Sequence, residues 1–230
     1  MYVIDPPKQA SLAVQGSEAR FPIRRIFCVG RNYEAHAREM GKDPTREAPF
    51  FFTKPADAAL DTPCTIPYPL LTENLHYEIE LIIAIGKGGV RIAEADVMDH
   101  VWGASVGLDM TRRDLQTEAK DMGRPWDWGK AFDDSAPIAP IKPLADVPSV
   151  ETGRIWLAVN GKVQQDADLS DLIWSVREHV SILSHAMVLA PGDVIMTGTP
   201  AGVGAVITGD VITGGVEGIG ELEVTIGARA

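Results

Sequence analysis

Glu78-Ile79-Glu80-Leu81-Ile82-Ile83-Ala84-Ile85-Gly86 runs apolar without a break from Leu81 to Ile85, is rich in β-branched side chains and stops at a glycine. That is the pattern of a strand. Outward from it, residues 101–110 (VWGASVGLDM) read as a second strand that ends at Asp109-Met110. Residues 26–29 read as a short buried strand closed by Gly30, and PFFFTKP, between Pro49 and Pro55, as another. Residues 155–159 followed by Asn160-Gly161 predict a hairpin, because Asn-Gly suits a type I′ turn. The tail (GDVIMTGTP, GDVITGG, GELEVTIG) is β-rich. Three stretches have helical composition: 32–41, begun by Asn32 and closed by Gly41; 111–123, with Thr111 placed to cap and Gly123 to stop it; and 168–189, the longest. Residues 1–24, interrupted by Pro6, Pro7, Gly16 and Pro22, read as an extended arm. No repeat or linker divides the remainder. The expectation is one domain over residues 25–230, α+β and β-rich.

The chain has 230 residues, 45% hydrophobic and 23% charged, which suits a globular domain with a substantial core rather than a disordered chain. A net charge of −11 repels nucleic acid and anionic lipid, so neither is expected as a partner. A small anionic substrate is still admitted, because screening over roughly 8 Å lets a local cationic pocket dominate. The acidity has a second reading, since a divalent-cation site leaves an excess of carboxylates in the formal count. Cys28 and Cys64 are the two cysteines; they form no CxxC and no disulfide framework, which points to a reducing cytoplasm. MYVIDPPKQA lacks a basic region followed by an apolar run, and no stretch approaches about eighteen uncharged apolar residues, so neither a signal peptide nor a membrane span is expected.

Glu78 and Glu80 stand two apart on the first strand, so their carboxylates leave the same face. Like charges so close are unfavourable unless a positive charge lies between them, and the apolar neighbours raise the cost of leaving them unpaired. Few oxygen ligands with water completing the shell suit Mg2+ or Mn2+ better than Zn2+. An exposed strand face with solvated acids explains the pair equally well. Asp109, an acid at the end of an apolar strand, is well placed at the rim of a site, and equally well placed to cap the helix near Thr111. Arg113 and Gln116 share a helix face, Lys120 lies a turn further on, and Lys130 follows in WGKAFD. They read either as donors aimed at developing oxyanions or, for Arg113 and Lys120, as solvated charges paired with Asp114, Glu118 or Asp121.

His36 and Glu39, at i and i+3 of the 32–41 stretch, are spaced for a carboxylate–imidazole contact, the arrangement of a general base working near neutral pH. An ordinary surface ion pair has the same spacing. His76, His100, His179 and His185 have no comparable partner and read as structural. The glycine-rich segment 197–204 matches neither a Walker A loop nor GxGxxG, and GxSxG is absent, so phosphate cradling by those routes and an esterase-type serine find no support.

CVGRNYEAHAREMG, FFFTKP, HYEIEL, GLDMTRRDLQ, GRPWDWGKAFD and TGTPAGVG occur in that order. Each is weak alone; the ordered set resembles the fumarylacetoacetate hydrolase family, in particular its small single-domain fumarylpyruvate hydrolases and acylpyruvases. The resemblance runs from about Arg25 to the C-terminus. It implies a mixed β-sandwich roll, commonly in a homodimer, with metal ligands Glu78, Glu80 and Asp109. It also implies a catalytic His36–Glu39 pair, and substrate or oxyanion contacts from Arg113, Gln116, Lys130 and Thr199. The acid that longer relatives carry upstream of the histidine has no counterpart in Gly30-Arg31-Asn32-Tyr33. The implied cofactor is Mg2+, with Mn2+ or Ca2+ as alternatives. The implied reaction is hydrolysis of the carbon–carbon bond of a 2,4-diketo acid, fumarylpyruvate first, as in gentisate breakdown. Acylpyruvate hydrolysis and oxaloacetate decarboxylation are the nearest alternatives, and a non-catalytic β-rich binding module is the rival from another class.

Overall fold

The computed structural model describes residues 1–35 and 47–229. Its largest sheet is mixed. The spatial order of its main path is Phe50–Lys54, Arg25–Gly30, Asp193–Met196, Ile79–Ile85, Val101–Leu108, Ala136–Ile138 and Ala59–Asp61, with Lys142–Pro143 also paired to Val101–Leu108. Two pairs are parallel, Asp193–Met196 on Arg25–Gly30 and Ala136–Ile138 on Ala59–Asp61. The apolar run of Ile79–Ile85 follows from its central place, since every residue of the strand is buried and both faces are covered. Ile79, Leu81, Ile83 and Ile85 face the main core. That core is closed on its far side by a five-stranded sheet ordered Lys162–Asp168, Arg154–Val159, Val211–Val216, Gly220–Arg229 and Cys64–Tyr68. Ile82 and Ala84 face a second core with Leu12, Phe21 and Ile26. The result is a β-sandwich, as the sequence leads one to expect.

The arm is more ordered than its prolines and glycine suggest. Ser11–Val14 and Ser17–Pro22 form an antiparallel hairpin about Gly16, at φ +74°, and Leu12, Val14 and Phe21 cover the second core. The Asn160-Gly161 turn has φ of +50° and +76°, both in the left-handed region the type I′ turn requires. The long helix is shorter than predicted, Val176–Ala186, and is opened by Ser175 and Glu178 bonding reciprocally to each other's backbone; Leu169–Asp171 before it is a single 3-10 turn. The second helix covers Arg113–Asp121 without a side-chain cap, because Thr111 lies in the short strand Thr111–Arg112 and pairs with His76. The Asn32 side chain is buried against residues 174 and 197. No helix among the described residues is long and apolar enough to cross a membrane.

His179 is fully buried in the last helix. Its Nδ1–H points at the Trp174 carbonyl at 3.3 Å, while Nε2 has no hydrogen-bond partner. Burial outweighs these backbone contacts and brings the ring down to about 4. The folded ring is therefore neutral where the unfolded one protonates near 6.5. The contribution of the neutral ring is complete above pH 6.5 and is lost as pH falls towards 4. At about 1.4 kcal/mol per pH unit this single group removes roughly 3 kcal/mol. Urea midpoints measured from pH 7 to 4.5 should fall more steeply for the natural chain than for His179→Gln; parallel curves would exclude His179 as the source.

Candidate metal centre

Glu78 does not belong to the strand that follows it. It is the corner between Leu75–Tyr77, which pairs in a small separate sheet with Thr111–Arg112 and Gly204–Val206, and Ile79–Ile85. At the same level Asp109 leaves the end of Val101–Leu108, and its N–H donates to the Glu78 carbonyl at 2.9 Å. Glu80, opposite Gly107, is on the even-numbered face of its strand. The two strand exits thus deliver three acids to one place. Glu78, Glu80 and Asp109 are 5%, 2% and 0% exposed, and one oxygen from each lies within 4.8 Å of the others. The solvated-face reading of the pair fails on burial, and the capping reading of Asp109 fails because the helix begins without a side-chain cap.

Among the described residues, three cationic side chains surround the acids. Lys130 Nζ donates to Glu78 Oε2 at 2.7 Å, Asp109 Oδ2 at 2.6 Å and Thr111 Oγ1 at 2.7 Å. Arg113 donates through Nη2 to Glu78 Oε1 and through Nη1 to Gln116 Oε1 at 2.5 Å. Arg113 is 8% exposed, so it is not the solvated helix charge that its sequence neighbours allow. Lys54 Nζ is 2.9 Å from Asp109 Oδ1 and donates to the carbonyls of Met110 and Lys130. Its contact with Asp109 is ionic without hydrogen-bond alignment, which leaves Oδ1 a buried oxygen with no hydrogen bond.

Glu80 accepts from the Gly198 N–H at 2.7 Å. Gly198 sits at φ +101°, and a Cβ there would lie 2.7 Å from the Asn32 Cβ, so only glycine brings that N–H to Glu80. Burial, then the charges of Asp109 and Glu78, push the Glu80 carboxyl well above its usual range; Lys130 and the Gly198 N–H pull back without cancelling them. Burial alone would depress the Lys130 ammonium, but Asp109 and Glu78 outweigh it and hold it above its ordinary value.

The cluster opens into a cleft that is lined by all seven described candidates: Glu78, Glu80, Asp109, Arg113, Gln116, Lys130 and Thr199. Lys120 lines it too. His36 and Glu39 lie outside the described residues. Sequence reasoning missed four residues. Lys54 stood in a quoted motif without a role. Gln165, fully buried, donates to Thr199 Oγ1 at 2.8 Å and accepts from the Ile79 N–H at 3.1 Å, tying the 199 loop to the acid strand. Asn32 clamps the chain by donating to the carbonyls of Trp174 and Thr197 and accepting from the Trp174 N–H. His76, read above as structural, meets no carboxylate in these two contacts but supports a site residue: Nδ1 accepts from Arg113 Nε at 3.3 Å, and the other nitrogen donates to Asn74. Burial, then the Arg113 charge, holds His76 down to about 4, so it serves as a neutral acceptor orienting Arg113. Burial first of all pushes the Cys28 thiol well up and Cys64 to about 11, which disfavours the thiolate form a nucleophile needs.

The donor set is hard oxygen throughout, one of its atoms lacks a hydrogen bond, and one oxygen from each acid lies within 4.8 Å of the others. The acids fit a divalent cation such as Mg2+ or Mn2+. Fold and site together define a metal-binding enzyme. The chain belongs to the fumarylacetoacetate hydrolase family, whose C-terminal domain profile matches residues 25–227. It is 48% identical to a fumarylpyruvate hydrolase of Ralstonia sp over 185 residues, 80% of this chain and 96% of the relative. It is 40% identical to the mitochondrial oxaloacetate tautomerase FAHD1 of Arabidopsis thaliana, over 89% of this chain and 92% of that one. A fumarylpyruvate hydrolase from Pseudomonas aeruginosa, solved in complex with Mn2+ and pyruvate, superposes with a TM-score of 0.97 at 51% identity, covering 100% of both chains. The protein is a hydrolase acting on carbon–carbon bonds.

Proposed function

We propose that residues 25–230 form a catalytic domain that hydrolyses the carbon–carbon bond of a 2,4-diketo acid, with fumarylpyruvate as first substrate and fumarate and pyruvate as products. One observation carries the reading: the buried three-acid cluster opens into a cleft whose other polar walls are Arg113, Gln116, Lys130 and Thr199. The relatives named fumarylpyruvate hydrolase support the choice of substrate. Glu78, Glu80 and Asp109 hold the ion, proposed as Mg2+, which when bound supplies a Lewis acid and an electron sink for the keto-acid end. Arg113, oriented by Gln116 and His76, offers donors to the substrate oxygens, and the Lys130 ammonium faces the charge that develops on cleavage. His36, oriented by Glu39, takes a proton from water. The water oxygen bonds to the distal carbonyl carbon, the C–C bond breaks, and its electron pair leaves as the enolate of pyruvate, which is then protonated. Assembly as a homodimer and a cytoplasmic location accompany this reading.

Turnover of oxaloacetate is the second reading, favoured by the 40% identical tautomerase relatives. Its decarboxylation uses the same enolate stabilisation without attacking water. Purified protein with Mg2+ or Mn2+ and a panel of 2,4-diketo acids should lose the diketo-enol absorbance and release one pyruvate per substrate. His36→Ala should lower hydrolysis at least about 100-fold and leave any oxaloacetate decarboxylation in place. Pyruvate from none of the panel refutes the hydrolase reading.

A further inference from the structure

Beside the acid cleft, and continuous with it through Arg31, Phe52, Trp126 and Lys130, is an open annex that the reaction as described does not use. Its wall is aromatic. Phe50 meets Trp126 edge-on at 5.3 Å between ring centres, and Phe52 lies 5.6 Å from the same indole. Phe50 and Phe52 share a face because their strand alternates. Phe50 can sit where it does because Gly30 has no side chain: a Cβ there would lie 2.1 Å from the Phe50 ring.

Arg31 stands where cleft and annex meet. Its backbone is held at φ +57°, a conformation that non-glycine residues seldom adopt and that tends to persist where surrounding contacts enforce it. Its chain neighbour Asn32 is clamped by three hydrogen bonds. The guanidinium is 5.5 Å above the Phe50 ring. Among the described residues it pairs with no carboxylate, although Asp127 also lines the annex. A strained, clamped backbone thus presents an uncommitted cation over an apolar wall, a few side chains from a cluster that takes the other end of an anion. An unsaturated chain stacks on such a wall, and a terminal carboxylate pairs with such a cation.

We propose that the annex holds the acyl end of the substrate, with its terminal carboxylate on Arg31, so that Arg31 selects dicarboxylic 2,4-diketo acids over those whose acyl group ends in methyl. The inference rests on the diketo-acid reading of the metal centre. Its test reads two quantities, one independent of turnover. The first is the preference, kcat/KM for fumarylpyruvate over kcat/KM for acetylpyruvate, in the natural chain, Arg31→Met and Arg31→Lys. Loss of one charge-assisted pair should cut it about 30-fold in Arg31→Met through KM, and Arg31→Lys should recover part of it. The second is calorimetric affinity for fumarate, compared with crotonate, in the metal-loaded protein; Arg31→Met should weaken fumarate at least about 10-fold and bring it level with crotonate. An unchanged preference, or equal affinity for the two acids in the natural chain, overturns the assignment. Should the natural chain cleave no diketo acid, the diketo-acid reading fails, and the fumarate measurement alone then decides the role of Arg31.

Discussion

Glu80→Gln is expected to give a folded protein that has lost its metal and nearly all turnover. Glu80 is 2% exposed, and burial together with Asp109 and Glu78 already disfavours its charged form. Glutamine keeps the shape, keeps an oxygen for the Gly198 N–H, and gains an amide donor directed at two acids that lie within 4.8 Å. Without metal, stability should therefore stay within about 1 kcal/mol of the natural chain or rise. Metal binding responds the other way. A unit charge about 4 Å from another is worth roughly 4 kcal/mol at an effective dielectric near 20. Affinity for Mn2+ should fall at least about 100-fold, and kcat/KM at least about 1,000-fold where the ion supplies the Lewis acid. Calorimetric Mn2+ titration, metal-free melting and pyruvate release read the three quantities separately. Wild-type Mn2+ affinity in the variant would remove Glu80 from the metal shell.

The acids were legible because strand periodicity is a local property. Spacing of two put Glu78 and Glu80 on one face, and an acid closing an apolar run marked Asp109. What periodicity does not contain is the turn at Glu78, where the chain passes from one sheet to another, since that is fixed by partners at residues 111–112 and 204–206. The cations were half legible. A helix spacing of three brought Arg113 to Gln116, yet whether Arg113 met solvent or Glu78 depended on a corner 35 residues earlier. Lys54, Asn32 and Gln165 were opaque for the same reason: each is a polar residue whose meaning is a buried contact far along the chain, such as the 165 positions between Asn32 and Thr197. The pairing within the extended arm was not legible, because proline and glycine break helices but not hairpins, and Gly16 supplies a turn rather than an interruption.

Lys130→Met should separate the two jobs of the cation at the centre of the cluster. The ammonium is 2% exposed and donates to Glu78, Asp109 and Thr111 at 2.6–2.7 Å. Methionine roughly preserves the volume and removes the charge, leaving two buried carboxylates one cation short. Breaking a buried pair in this way costs about 3–5 kcal/mol, which should appear as a large drop in metal-free Tm. A divalent ion on the same carboxylates supplies the missing charge. At 100 times Kd, Mn2+ stabilises the natural chain by about 2.7 kcal/mol, and its effect on the variant should be larger, because there it also relieves the repulsion between Glu78 and Asp109. Turnover should remain at least about 1,000-fold down even at saturating metal, since the ion restores the fold but not the donor facing the departing enolate. Thermal melts against Mn2+ concentration, read beside pyruvate release, distinguish these outcomes. If Mn2+ raises the Tm of the variant no more than that of the natural chain, the ion and the ammonium do not share carboxylates, and the ion must be held elsewhere.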